Sequence, residues 1–252
     1  MILVPILVLY AAAVTVGLAM AGLRPTARGP RPAPRPAARA RPHHLLIVGA
    51  TGGTGRELVA QALDRGYLVT ALARDPAKLT TRHERLEVAP GNVLDPTTLD
   101  AALRGCDAVV CALGHKRFLW PTSIQSKGAR HLVEAMRRQG ATRLVAVTSL
   151  GLGDSAGRLG LIYTLLTLPF VLPFYFADKA RQEQVIAGGP VDWVIVRPGA
   201  LTRGPARGRY RQGRTAGGYL LTRSIARADV AAFMLDQLES DAYLRTAVGL
   251  SG

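Results

Sequence analysis

Three glycines at intervals of three, Gly49-x-x-Gly52-x-x-Gly55, stand between an apolar run and a helix-patterned run. They narrow the possible folds more than any other feature of the chain. Leu45 to Val48 suits a strand buried on both faces, and Glu57 to Leu63 has helical spacing that Gly66 ends. A second strand, Tyr67 to Ala73, follows at once. Strand, glycine turn, helix and strand in that order define a βαβ unit whose turn must be tight and whose helix packs close to the first strand.

Such a turn lets backbone approach a pyrophosphate, and the helix N-terminus behind it favours negative charge. Gly49, Thr51, Gly52, Gly53, Thr54 and Gly55 are therefore the expected dinucleotide-binding residues. The end of the second strand reads Ala73-Arg74-Asp75, with Lys78 one helical turn on. An acid there would bind the ribose of NAD, whereas a cation accommodates the 2′-phosphate of NADP. Arg74 and Lys78 point to NADP(H), and Asp75 keeps NAD(H) open.

Strands are expected at Leu86–Ala89, Asp107–Leu113, Arg143–Thr148 and Val191–Val196, and helices at Thr97–Leu103, Ile124–Gln139, Asp178–Ile186 and Arg227–Leu238. That alternation predicts an α/β fold with a doubly wound parallel sheet of Rossmann type, whose ligands lie beyond the carboxyl ends of the strands. The candidates there are Asn92 and Val93 near the adenine, Gly114, Ser149, and Arg197-Pro198-Gly199, with Pro198 beside the cofactor.

The stretches "VGATGGTG", "GNVLD", "DAVVCALG", "VAVTSLG", "YFADKARQE" and "VDWVIVRPGAL", with the Arg after the second strand, stand in one order over about residues 44 to 250. Together they resemble the atypical short-chain dehydrogenase/reductases, in the NAD(P)H-binding group that includes the biliverdin-IXβ/flavin reductases and NmrA-like proteins. "YFADKARQE" is similar to the Tyr-x-x-Ser-Lys-x-x-x-Glu of the superfamily's extended branch, with Asp178 in place of Ser. The resemblance implies that Tyr175 donates a proton to a carbonyl. It also implies that Lys179 lowers the Tyr175 pKa and binds the nicotinamide ribose, and that Ser149 polarises the same carbonyl.

Met1 to Leu23 contains no charged side chain, enough for a helix that spans a bilayer. "AMA" at 19 to 21 resembles a signal-peptide cleavage site, but the basic segment that begins such peptides is missing. Residues 24–42 carry six Arg, six Pro and no acid, the composition of an extended linker. Positive charge beside a span stays cytoplasmic, so the expected organisation is an anchor over 1–23, a linker over 24–42 and a cytoplasmic domain over 43–252.

A second uncharged run, 159–177, is long enough to cross a membrane. Crossing there would separate two strands of one sheet, so the expectation is an apolar lid over the substrate, lying in the membrane interface and broken by Pro169 and Pro173, or plain burial. The chain has 32 Lys+Arg against 17 Asp+Glu, but only four of these cations are Lys, so the net charge alone is a weak argument for nucleic acid. Cys106 and Cys111 read as reduced thiols in or beside a buried strand, and no clustered histidines complete a metal site with them. Two functions are open: a membrane-anchored NADPH-dependent oxidoreductase reducing a small-molecule carbonyl or conjugated acceptor, with a lipophilic quinone or isoprenoid carbonyl as the hypothesised kind, or a non-catalytic NADP(H)-binding sensor or membrane assembly scaffold.

Overall fold

The computed structural model describes residues 4–12, 41–115 and 120–252. In chain order, α1 (4–12) precedes β1 (His44–Val48), α2 (Gly53–Asp64), β2 (Leu68–Ala73), β3 (Leu86–Pro90), α3 (Pro96–Ala102), β4 (Ala108–Cys111), α4 (Ile124–Gln139) and β5 (Arg143–Val147). Next come α5 (Leu168–Val171), α6 (Pro173–Ala187), β6 (Asp192–Pro198), β7 (Ala200–Thr202), β8 (Arg211–Gly213), β9 (Ser224–Ala226), α7 (Arg227–Asp236) and β10 (Thr246–Ser251). The main sheet runs β3-β2-β1-β4-β5-β6-β10-β8, parallel except for β8, and β7 pairs with β9 in a separate two-stranded sheet. Strand order reverses between β1 and β4, and ligands of such sheets bind at that crevice.

Both faces of β1 are apolar because both are covered. Leu45 and Ile47 pack with Leu58 and Val59 of α2 and with Val230 and Met234 of α7, whereas Leu46 and Val48 pack with Leu99 of α3 and Leu132 and Met136 of α4. Each such side chain contributes roughly 1.5–3 kcal/mol when fully buried, so two helical layers hold the central strands in register. The expected doubly wound fold is present, and β8 and β10 extend the sheet beyond the expected last strand.

Helix α6 begins at Pro173, five residues before the expected Asp178, because proline is well accommodated at the first helical position. This extension brings Tyr175 and Lys179 onto one helix. Of the expected anchor 1–23, residues 4–12 are helical and the rest lies outside the described residues, as does the linker up to residue 40. Among the described residues no helix is long and apolar enough to cross a membrane.

Candidate functional site

The glycine turn is sterically committed. Gly49 has a φ of 82°, and a side-chain carbon there would lie 2.5 Å from the carbonyl oxygen of Ala112 on the neighbouring β4 edge. One at Gly55 would come within 2.0 Å of the Gly49 oxygen. These contacts allow β1, β4 and α2 to close around the turn. Helix α2 starts from Gly52 without a side-chain cap, so its first N–H groups face the crevice with no side-chain acceptor. Gly52 and Gly53 are exposed, Thr51 is half-buried, and Thr54 is buried against the core.

Two arginines at this turn escaped sequence reasoning. A side-chain carbon at Gly53 would lie 2.7 Å from both Cδ and Nε of Arg227, so the first side chain of α7 drapes over the glycine turn. The Arg227 guanidinium finds no hydrogen-bond or ion-pair partner among the described residues. No local pattern could reveal a contact between residues so far apart in the chain. Arg56, on the first turns of α2, donates from Nη2 to the Lys78 carbonyl at 3.2 Å, which carries it across to the end of β2. Its place just after the third glycine was a usable signal.

At the β2 end Arg74 is exposed and without a partner among the described residues. Lys78 is also exposed, but its Nζ pairs with Asp75 at 3.1 Å. Arg74 is therefore the freer cation for a 2′-phosphate. Asn92 follows β3 in a tight turn, where its side chain accepts from Leu94 N at 3.1 Å and its carbonyl accepts from Asp95 N at 2.8 Å. Val93 is buried beneath that turn and packs against α4.

Tyr175 and Lys179 come together at the ends of β4 and β5. The Tyr175 hydroxyl lies 3.6 Å from where a side-chain carbon on Gly114 would be, and its ring is 5.0 Å from that of His115 in an edge-on arrangement. Lys179 is buried under it, with Nζ 5.7 Å from the Tyr175 ring centroid. That ammonium donates to the carbonyls of Leu113 at 3.2 Å and Val147 at 3.1 Å, and contacts the Gln182 amide oxygen at 3.5 Å. Lys179 is thus fixed between two strand ends, where a buried cation has its hydrogen bonds satisfied without a carboxylate. Ser149 stands half-buried just past β5, and its hydroxyl has no partner among the described residues.

Asp178 explains its own departure from the extended-branch motif. It is fully buried and accepts hydrogen bonds from Gln125 N at 2.9 Å, Ser126 N at 3.2 Å and the Ser126 hydroxyl. A carboxylate here caps α4 from a neighbouring helix, because the N-cap residue Ser123 makes no side-chain cap of its own. The next acid, Glu183, accepts from the Thr148 hydroxyl at 2.6 Å and from Arg197 Nε at 2.9 Å and Nη2 at 2.6 Å. Arg197 also pairs with Asp154. It was expected among the ligand-side residues, but it is a buried tie between β6, α6 and the loop after β5. Pro198 is likewise buried, and its carbonyl accepts from Leu150 N at 2.9 Å.

Cys106 and Cys111 are buried and free, and burial pushes the Cys106 thiol up to about 11. Burial raises the Cys111 thiol as well.

A family model described as NAD(P)H-binding matches residues 49–241. The chain belongs to that family. This family match agrees with the resemblance carried by the motif order, to the NAD(P)H-binding group of atypical short-chain dehydrogenase/reductases. It is 32% identical over 174 residues to an uncharacterized chloroplastic protein of Arabidopsis thaliana, covering 65% of this chain and 61% of that one. It is 30% identical over 154 residues to a (4-alkanoyl-5-oxo-2,5-dihydrofuran-3-yl)methyl phosphate reductase of Streptomyces griseus, covering 61% of this chain and 46% of the relative. The chain therefore spans less than two thirds of the length of these curated relatives. ChuY, an anaerobillin reductase from Escherichia coli O157:H7, superposes with a TM-score of 0.69 at 23% identity, over 82% of this chain and 96% of that one. That likeness establishes the fold. The sterically closed glycine turn, its uncapped helix and the partnerless Arg227 and Arg74 fit a phosphate-bearing nicotinamide cofactor.

Proposed function

We propose that this protein is an NADPH-dependent reductase of a carbonyl or conjugated acceptor, held at a membrane by residues 1–23 with its Rossmann-type domain on the cytoplasmic side. The observation that carries the reaction is the Tyr175 hydroxyl at Gly114 with the Lys179 ammonium buried beneath it. NADPH, when bound, supplies the hydride. Tyr175 gives its proton to the acceptor as that hydride arrives, and Lys179 stabilises the negative charge left on the phenol oxygen. Ser149 offers its hydroxyl to the acceptor oxygen from the adjacent strand end.

Arg74 favours NADPH over NADH, and Arg227 and Arg56 add positive charge at the glycine turn. A lipophilic acceptor such as a quinone or an isoprenoid carbonyl is supported by the surroundings of Tyr175. One side of its ring meets an apolar cluster of Leu150, Leu152, Leu159, Leu168, Leu172 and Phe176. Burial, with Tyr175 close by, raises the neighbouring Tyr163 hydroxyl above its ordinary range. The Streptomyces relative, a reductase named for an alkanoyl-bearing oxo-dihydrofuran, supports a conjugated acceptor. Anchoring is supported by the uncharged N-terminal segment, where Val4, Ile6, Val8 and Leu9 of α1 are exposed.

The test is NADPH oxidation by the full chain with conjugated ketones and quinones as acceptors, wild type beside Tyr175→Phe. Tyr175→Phe is expected to lower kcat about 10²-fold and leave NADPH binding unchanged. Undiminished turnover in Tyr175→Phe would remove Tyr175 as proton donor. Cofactor binding without turnover on any acceptor would return the protein to the sensor or scaffold reading.

A further inference from the structure

Residues 161–171 break an ordinary rule of surface helices. A helix at the edge of a domain buries one apolar face and shows water a polar one. Here Leu168 and Leu172 point inward with Phe176, yet the outward positions Ile162, Leu165, Leu166 and Phe170 are apolar too and 40–69% exposed. The exposed residues recur at intervals of three to four, so they share one face, and a π-helical turn over Tyr163–Thr167 widens the helix there. A second apolar element stands beside them: Leu220 is 77% and Leu221 75% exposed at the tip of a loop. Leu161 N donates to Leu220 O at 3.2 Å, the Thr222 hydroxyl to Leu159 O at 2.6 Å, and Gly218 N to Arg158 O at 2.9 Å. Helix and loop tip therefore form one surface.

The charge around this surface selects what covers it. Residues 156–177 hold one exposed or half-exposed cation, Arg158, and a single buried acid follows them at Asp178. Arg158 lies over the Tyr219 ring at 5.0 Å, beside Leu220. Residues 199–228, which carry the tip, contain seven Arg and no acid, and of these Arg223 lies beside the tip, with Nε 3.7 Å from where a side-chain carbon on Gly218 would be. A second copy docked face to face would bring Arg158 and Arg223 of both copies into one interface, with no acid in 156–177 or 199–228 to pair them. An anionic bilayer supplies apolar depth for the leucines and phosphate for the arginines.

We propose that the 161–171 helix and the 219–221 tip insert together into the interface of an anionic bilayer. This inference deepens the reading of a membrane-held reductase by naming the face that meets lipid. Tyr175 packs against the apolar cluster on the inner side of the same helix, so an acceptor dissolved in the bilayer reaches the proton donor along the wall of that cluster.

The experiment uses the full chain carrying Leu220→Cys labelled with a nitrobenzoxadiazole dye, beside a control labelled at Glu134→Cys on the exposed side of α4. Native Cys106 and Cys111 are buried, so labelling is selective. Both are mixed with phosphatidylcholine vesicles, with and without phosphatidylglycerol, and floated. Dye at 220 should become blue-shifted, several-fold brighter on the anionic vesicles, and quenched by nitroxide in the acyl chains, while dye at 134 should not change. If the chain floats but dye at 220 stays in water, the docking face is wrong and the anchor stands. Dye shielded without vesicles as protein concentration rises would mean a second copy covers the face, overturning the proposal. Failure to float on any vesicle would remove the membrane reading and this face with it.

Discussion

Around the glycine turn Arg74, Arg56 and Arg227 stand without an acidic partner among the described residues, whereas behind Ser149 Arg197 is buried between Glu183 and Asp154. The same residue type thus stands in two electrostatic settings within one sheet. Cations left unpaired in a glycine-lined crevice favour an incoming phosphate, because no internal carboxylate competes. A cation with its carboxylate locked inside holds the loop after β5 and the Tyr175 helix in one geometry. The comparison predicts that mutations at the first region change binding and that mutations at the second change stability.

The buried tie should produce the largest effect. Arg197→Leu removes the guanidinium that neutralises the buried Glu183 carboxylate, at an expected cost of about 3–5 kcal/mol. Replacing both residues with apolar ones should recover most of that loss, and urea unfolding of the single and double variants measures both. Asp178→Ala comes next, since it deprives two backbone N–H groups and one hydroxyl of α4 of their shared acceptor. A loss of about 1–3 kcal/mol is expected. Because Asp178 adjoins Lys179, kcat should fall as well, whereas an activity loss without a stability loss would break the assignment of Asp178 as a cap.

Arg227→Ala should weaken NADPH binding about tenfold, equivalent to ~1.4 kcal/mol, with the urea midpoint unchanged. A stability loss instead of an affinity loss would mean that this arginine belongs with Arg197 and not with the phosphate site. The smallest expected effect is at Cys106. Burial raises its thiol from the ordinary 9.0 to about 11, so the folded protein keeps a proton that the unfolded chain releases. The associated stability is complete below the ordinary thiol value and declines as pH rises through the raised one. Melts of wild type and Cys106→Ala from about pH 8 to about 11 should show the steeper decline in wild type.

Much of this arrangement was legible in the sequence because it is local. The glycine turn, the strands through β6 and the Tyr175–Lys179 spacing are all set by neighbours in the chain. Strands β8 and β10 were missed because Arg211–Gly213 and Thr246–Ser251 are short segments whose pairing depends on a distant strand edge. Arg197 looked like a ligand-side residue because it ends a strand, and only the fold reveals Glu183 beside it. Arg227 was silent for the converse reason: its functional neighbour, Gly53, lies at the other end of the domain sequence. The uncharged run 159–177 announced unusual apolarity, but separating its buried face from its exposed one required the helix to be placed on the sheet.

In the proposed function, unpaired arginines of this crevice hold the 2′-phosphorylated nicotinamide cofactor. The most direct test is a fluorescence titration of the full chain with NADPH and with NADH, comparing wild type with Arg74→Ala. Wild type is expected to bind NADPH more tightly than NADH, and Arg74→Ala to lose that preference with NADH affinity unchanged. Equal affinity for both nucleotides in wild type, or a preference that survives the substitution, would contradict that expectation.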